Sequence, residues 1–309
     1  SPLTTLTLRF AIAATSGLAL AHSDSDSRPI MIVANFVNPV LVTLPFFGFK
    51  VYTYGLCIAA ALASCVGVVE MEIRRLQISA DGALLMLAFI PGFGIGSKVH
   101  LLVSSLAAGG AVPNMSLETG HSFMGSAVGG LLTASLYGSW CGLRTLVLLD
   151  LIAPLVPLGH AVGKIGCFMS GDGCYGPRTR ADAPWAMSFP NGLVPVREPV
   201  HPTPLYESAL SMALFLFLHF AVALPQKGGR QRRVGVRSAL TLSLYGLERM
   251  LVEPFRRHPP SEYLFGLTEY QFLAVIFILI GGDGRSVFKR WGTLTPTRVQ
   301  KARRLLDVA

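Results

Sequence analysis

The chain has 309 residues, 51 % of them hydrophobic and 14 % charged, with a net charge of +9. A soluble domain carries roughly 25 % charged residues, so this composition, with its mean hydropathy of +0.53, argues against a soluble fold and for a membrane protein. The basic residues lie in short runs between apolar segments, without interleaved aromatics, which sets nucleic acid aside as a partner.

In chain order, residues 1–30 come first as an uncertain extension. "TLTLRFAIAATSGLALAHS" resembles a signal peptide, and Met31 is an alternative start. About 20 apolar residues are needed to cross a bilayer as a helix. Seven runs approach that length: residues 51–69, 83–106, 122–140, 145–163, 205–224, 237–253 and 269–283. The expected fold is therefore an all-α integral membrane protein of about seven transmembrane helices. One membrane unit spans residues 31–284, followed by a basic cytoplasmic tail over 285–309. Gly92, Gly94 and Gly96 in the second run, and Gly125, Gly129 and Gly130 in the third, predict close approach of two helices.

Basic residues set the orientation. Arg74 and Arg75, Arg144, the group Lys227, Arg230, Arg232, Arg233 and Arg237, and the tail belong in the cytoplasm under the positive-inside rule. The connection 107–121 has no Lys or Arg and suits the far side. This predicts an N-terminus outside, a C-terminus inside, and a long outer-face loop, 164–204, between the fourth and fifth helices. That loop opens with "GKIGCFMSGDGCYG", Gly163 to Gly176.

Ionisable side chains within apolar runs are functional candidates, because an Arg or Lys at a helix centre costs about 2.5–3.5 kcal/mol on insertion scales. Lys98, His100, Arg249 and Glu253 meet that description. In "LYGLERMLVEPFRR", Tyr245, Arg249, Glu253 and Arg256 fall on one helical stripe, where Arg249 and Glu253 can pair. A fixed guanidinium suits a phosphate oxygen, while the plainer reading is an ion pair that locks two helices, or for Arg256 a snorkelling side chain. "HPTPLYE" opens the fifth run. Helix-start chemistry explains Thr203 and Pro204 but not His201 and Tyr206 beside Glu207.

Cys57 and Cys65 read as inert packing. Cys167 and Cys174 admit a disulfide, buried free thiols, or a reactive thiol. Their spacing with His160 and His201 fits no standard zinc pattern, so no metal ligand and no cofactor are expected.

The ordered set "VYTYGL", "GHSFMG", "LIAPLVPLGHAVGKIGCFMSGDGCYG", "PWAMSFP", "VHPTPLYE" and "YGLERMLVEPFR", within residues 36 to 284, resembles prolipoprotein diacylglyceryl transferase, a seven-span family of bacterial inner membranes. The resemblance implies transfer of the diacylglyceryl group of phosphatidylglycerol to the lipobox cysteine of a prolipoprotein, forming a thioether and releasing glycerol 1-phosphate. The implied partners are phosphatidylglycerol, the lipobox segment and membrane lipid. It implies catalytic roles for Tyr54, His201, Tyr245, Arg249 and Glu253, with Lys164, Gly171, Asp172, Tyr206, Glu207 and Arg256 contacting substrate. Gly163, Gly166 and Gly176 match further signature glycines.

The chain departs from that pattern. Lys164, Cys167, Ser170 and Asp172 stand where the family usually has arginine, asparagine, asparagine and glutamate. Met124 stands where it often has histidine, and leaves the general base unassigned; His100 and His121 are candidates by proximity in sequence. These departures motivate as an alternative a divergent paralogue with another lipid donor or thiol acceptor; a third reading is a non-catalytic lipid or lipoprotein binder. A transporter would show an inverted repeat or a ladder of membrane acids, and the sequence has neither.

Overall fold

The computed structural model describes residues 18–20, 32–34, 37–44, 49–78, 80–107, 123–222, 235–257, 263–264 and 267–287. Most of the signal-like extension, the basic group at 227–233, most of the 107–121 connection and the tail beyond residue 287 lie outside the described residues, as does His121.

The chain is mostly helical: α1 Thr53–Leu76, α2 Gly82–Ala107, α3 Phe123–Trp140, α4 Thr145–Ile152, α5 Leu155–Ser170, α6 Thr203–Leu216, α7 Val236–Val252 and α8 Glu269–Val287. Among the described residues, four segments are long and apolar enough to cross a bilayer: Thr53–Leu76, Gly82–Val103, Thr145–Ser170 and Thr203–Ala221. The third joins α4 to α5. The break between them falls at Pro154, which lacks an N–H to continue the ladder. Large apolar side chains point outward, with Leu136, Phe220 and Trp140 exposed by 72 %, 73 % and 88 %. Apolar faces of this kind need lipid, not water, beside them.

The all-helical expectation misses short strands. These are β1 Leu18–Leu20, β2 Ile32–Ala34, β3 Val40–Leu44, β4 Phe49–Tyr52, β5 Met187–Phe189, β6 Val196–Val200, β7 Tyr263–Leu264 and β8 Leu267–Thr268. They form a sheet of order β1-β2-β5-β6 and two hairpins, β3-β4 and β7-β8. Strands β5 and β6 bend the long connection after α5 back on itself, antiparallel.

The chain divides into two compact units. The first holds residues 1–63, 156–221 and 240–282. One of its cores joins Val37, Phe168, Tyr175, Phe189 and Val200. Tyr175 stacks on Phe189 with ring centres 4.2 Å apart, and Phe168 meets the same ring edge-on at 5.6 Å. This cluster fastens the β5-β6 connection to the end of α5, the end that carries the glycine-rich stretch.

The second unit holds residues 64–155, 222–239 and 283–309. Here α2 and α3 meet backbone to backbone. A Cβ on Gly96 would overlap the Gly125 carbonyl, and one on Gly129 would overlap the carbonyl of Gly92. The expected close approach is present at these four glycines, and Gly130 seats the Phe89 ring, whereas Gly94 faces open space. Gly96→Ala is therefore expected to lower stability by about 1–3 kcal/mol, because a carbonyl cannot rotate away as a side chain can. Gly94→Ala should be near neutral. Thermal unfolding of the two variants in detergent checks this.

Arg237, expected among the loop cations, is instead almost fully buried in this unit. Its guanidinium lies 3.0 Å from Glu72 Oε1. Asp150 caps the start of α7, accepting hydrogen bonds from the Gly235 and Ser238 N–H groups at 2.6 and 2.8 Å. The reason is local: a helix that begins at Val236 needs an acceptor for its first donors.

A buried cluster of cations and carboxylates

Site residues of the first unit come from three helices. His160 and Lys164 stand four apart on α5. Glu207 and Ser211 stand four apart on α6. Tyr245, Glu248 and Arg249 lie on α7, which passes into a 3-10 turn over Glu253–Phe255. The i, i+4 spacing points each pair to one side of its helix.

Glu207, 1 % exposed, is the centre. Lys164 pairs with its Oε2. Arg256 donates a hydrogen bond to its Oε1 at 2.6 Å, and the Arg249 guanidinium lies 3.6 Å from the same oxygen. His160 Nε2 is 3.5 Å from Oε2. A second carboxylate, Glu253, lies 3.7 Å from Arg249 and 3.9 Å from Arg256, and accepts a 2.6 Å hydrogen bond from Thr268 Oγ1. Three cations are thus held by carboxylates that are themselves buried. Burial alone would favour the neutral form of Arg256. The Glu207 carboxylate beside it outweighs this and raises its pKa above the ordinary guanidinium value.

The other wall carries His160, Ser211 and Glu248. Ser211 donates to Glu248 Oε1 at 2.5 Å, so His160 Nδ1, 2.8 Å from the same hydroxyl, is the donor in that contact. The Tyr245 ring meets His160 edge-on at 5.5 Å and packs with Leu214 and Leu218. The Tyr245 ring thus packs between the imidazole and these leucines.

At the start of α6, His201 Nδ1 lies 3.2 Å from the Tyr206 hydroxyl, and both rings pack on Phe255. Burial lowers the His201 pKa, favouring neutral imidazole. Thr203 donates to the Phe255 carbonyl at 2.6 Å, and a Cβ on Gly176 would overlap that carbonyl. The glycine-rich connection, the start of α6 and the turn after α7 are tied at this point.

The end of α5 brings together the remaining candidates. Gly171, with φ +60°, closes the helix: its N–H reaches the Phe168 carbonyl and the Asp172 N–H reaches that of Cys167. Asp172 Oδ1 then accepts from the Cys174 N–H at 3.1 Å, and Gly173 is also left-handed at φ +92°. The thiols of Cys167 and Cys174 and a carboxylate oxygen of Asp172 all lie within 4.8 Å of one another. Both cysteines are thiols. Hydrogen bonding from Cys167 holds the Cys174 thiol below its ordinary pKa, although burial opposes this. Tyr54, half-exposed at the start of α1, has its ring against Gly166.

Of the expected site residues, Lys164, Glu207, Arg249, Glu253 and Arg256 are thus one cluster, backed by Tyr245. His201 and Tyr206 form a pair at one end of α6, and Gly171, Asp172 and Tyr54 surround the end of α5. Sequence reasoning missed His160, Ser211, Glu248 and Thr268 as partners. The spacings 160/164 and 207/211 were the available signal. Lys98 and His100 lie on α2 in the second unit. Met124 falls in the first turn of α3.

A sequence profile of the prolipoprotein diacylglyceryl transferase family matches residues 39–283. The chain is 30 % identical over 249 residues to a phosphatidylglycerol–prolipoprotein diacylglyceryl transferase of Clostridium tetani, covering 79 % of this chain and 95 % of that one. It is 34 % identical over 275 residues to the protein of that name from Chromohalobacter salexigens, covering 86 % and 97 %. A shorter match to the Shewanella oneidensis protein of that name is 39 % identical over 168 residues, 53 % of this chain and 58 % of that one.

Proposed function

The chain belongs to the prolipoprotein diacylglyceryl transferase family, and from that premise we propose that it moves the diacylglyceryl group of phosphatidylglycerol to the lipobox cysteine of prolipoproteins. The observation that carries this reading is the convergence of Lys164, Arg249 and Arg256 on one buried carboxylate. Attack of a thiol sulfur on the glycerol carbon breaks its bond to the phosphate oxygen, and negative charge gathers on the leaving phosphate. Fixed guanidinium donors stabilise such charge without reorganising during the reaction. Arg249 and Arg256 retain 11 % and 20 % side-chain exposure, so an anion can reach them.

Glu207 and Glu253 orient these cations. His201 and Tyr206 flank the same end of α6 and are suited to the glycerol headgroup. Lys164, Gly171 and Asp172 line the approach from the glycine-rich connection. The distribution of basic residues supports seven spans with that connection on the outer face, the side on which exported prolipoproteins would meet bilayer lipid.

The test is direct. The detergent-purified protein, given phosphatidylglycerol and a lipobox peptide, should add one diacylglyceryl mass to the peptide cysteine. Absence of the adduct, while a related transferase works in the same mixture, rejects the reaction for this donor and acceptor. Reaction with another phospholipid would then favour the divergent paralogue that Lys164, Cys167, Ser170 and Asp172 suggest.

A further inference from the structure

We propose that Cys167, Asp172 and Cys174 bind one zinc-class divalent ion, whose open fourth position takes the acceptor thiol. Binding of the ion stands on geometry alone; its use on the acceptor rests on the transferase reading above.

The three ligand atoms lie within 4.8 Å of one another. Tetrahedral zinc, with Zn–S near 2.3 Å and Zn–O near 2.1 Å, holds such ligands roughly 3.5–3.8 Å apart. A contraction of about 1 Å is required, within reach of rotamer adjustment at the half-buried Cys174 and Asp172. The backbone is arranged for this. Two left-handed glycines, Gly171 and Gly173, reverse the chain, so that Cys174 returns to Cys167 at the end of α5. The hydrogen bond from the Cys174 N–H fixes Asp172 between them.

The donor set selects the ion. Two thiolates and one carboxylate suit zinc, and disfavour magnesium or calcium, which take oxygen ligands only. Three protein ligands with a vacant position are the pattern of sites that act on a bound molecule, whereas closed structural sites carry four. With a divalent ion the site keeps one negative charge, and Lys164 stands three residues before Cys167 on α5.

Such an ion solves a problem the cation cluster leaves open. Glu207 and Glu253 are held by cations and by Thr268, and Glu248 accepts from Ser211. Each of these carboxylates is thus already engaged by a cation or a hydroxyl. A thiol bound to the ion is deprotonated outright, its proton passing to water. The sulfur then attacks the glycerol carbon. The C–S bond forms, the C–O bond to phosphate breaks, and the electron pair leaves on the phosphate oxygen facing Arg249 and Arg256. The neutral thioether is a poorer ligand and departs.

The experiment uses cobalt(II) as the probe on the full-length, detergent-purified, reduced and metal-free protein. We expect a thiolate-to-cobalt charge-transfer band that saturates at one equivalent, is displaced by zinc, and is lost in Cys174→Ser. Adding a lipobox peptide should raise the band about 1.5-fold as a third thiolate joins two, and a peptide with serine for cysteine should not. A reduced protein whose thiols react with a thiol reagent but which gives no band overturns the site. So does protein isolated from membranes with Cys167 and Cys174 joined as a disulfide. Full transfer activity in a Cys167→Ser/Cys174→Ser double variant that melts like the parent overturns the role in thiol ionisation. Cobalt binding without any transfer, in the parent, leaves the site standing and rejects the transferase reading instead. Arg249→Ala should separate the two readouts, keeping the band and losing transfer, where the cysteine variants lose both.

Discussion

Arg249→Ala is expected to reduce diacylglyceryl transfer by about 10²-fold or more, the cost typical of removing one preorganised donor to developing negative charge. The guanidinium is fixed from two sides, by Glu207 and by Glu253, and is 11 % exposed. In the proposed reaction it would meet an incoming phosphate already ordered and largely stripped of water. Arg249→Lys keeps the charge but loses the planar fork, and should fall between the parent and the alanine variant. Turnover measured in mixed micelles, normalised to folded protein, separates this from a purely structural ion pair. A structural pair predicts a lower melting point with unchanged turnover per folded molecule.

Glu207→Gln is expected to cost about 3–5 kcal/mol of stability, as does removing one partner from a buried ion pair. Its carboxylate is the shared partner of Lys164, Arg249 and Arg256. The amide preserves shape and one acceptor oxygen but leaves three cations facing each other with no central anion. The change should appear as a lowered melting midpoint together with near-complete loss of transfer. Inorganic phosphate should restore the midpoint more in this variant than in the parent, because an anion can occupy the vacated electrostatic position. Equal effects of phosphate on both proteins would show that the cluster does not receive anions.

Much of this was legible in the sequence, for identifiable reasons. The helices announce themselves as apolar runs, and the glycines of α2 and α3 mark a backbone approach because lipid offers no other reason to remove side chains there. Arg249 and Glu253 were readable as a pair because one helical turn joins them. What the sequence withheld are partners from other elements. Lys164 finds Glu207 across two helices, Ser211 finds Glu248, and Thr268 finds Glu253 after an intervening turn. Strands β5 and β6 were missed because three residues in one and five with a proline, Pro199, in the other carry too little alternation. Arg237 was misread because a cation at a helix start looks like a loop cation until Glu72 is seen beside it. The turn at Gly171 brings Asp172 close to Cys167 and Cys174, a neighbourhood that spacing along the chain does not reveal.

The central ion cluster also has an order of birth. Lys164 is synthesised before every carboxylate that holds it, so it enters the bilayer with its charge unanswered. Lys164 lies six residues before the end of its segment, so its cost falls below the figure of about 2.5–3.5 kcal/mol for a lysine at a helix centre. The segment that carries it, Thr145–Ser170, is 26 residues long with a hydropathy of 1.8. That apolar surplus lets the lysine wait. Only when α6 follows does Glu207 meet it, and only after α7 and the turn to Thr268 do the guanidinium groups and Glu253 complete the arrangement. A chain stopped short of Thr268 would be inserted and largely helical, yet would carry an acid wall with its last hydrogen bond missing.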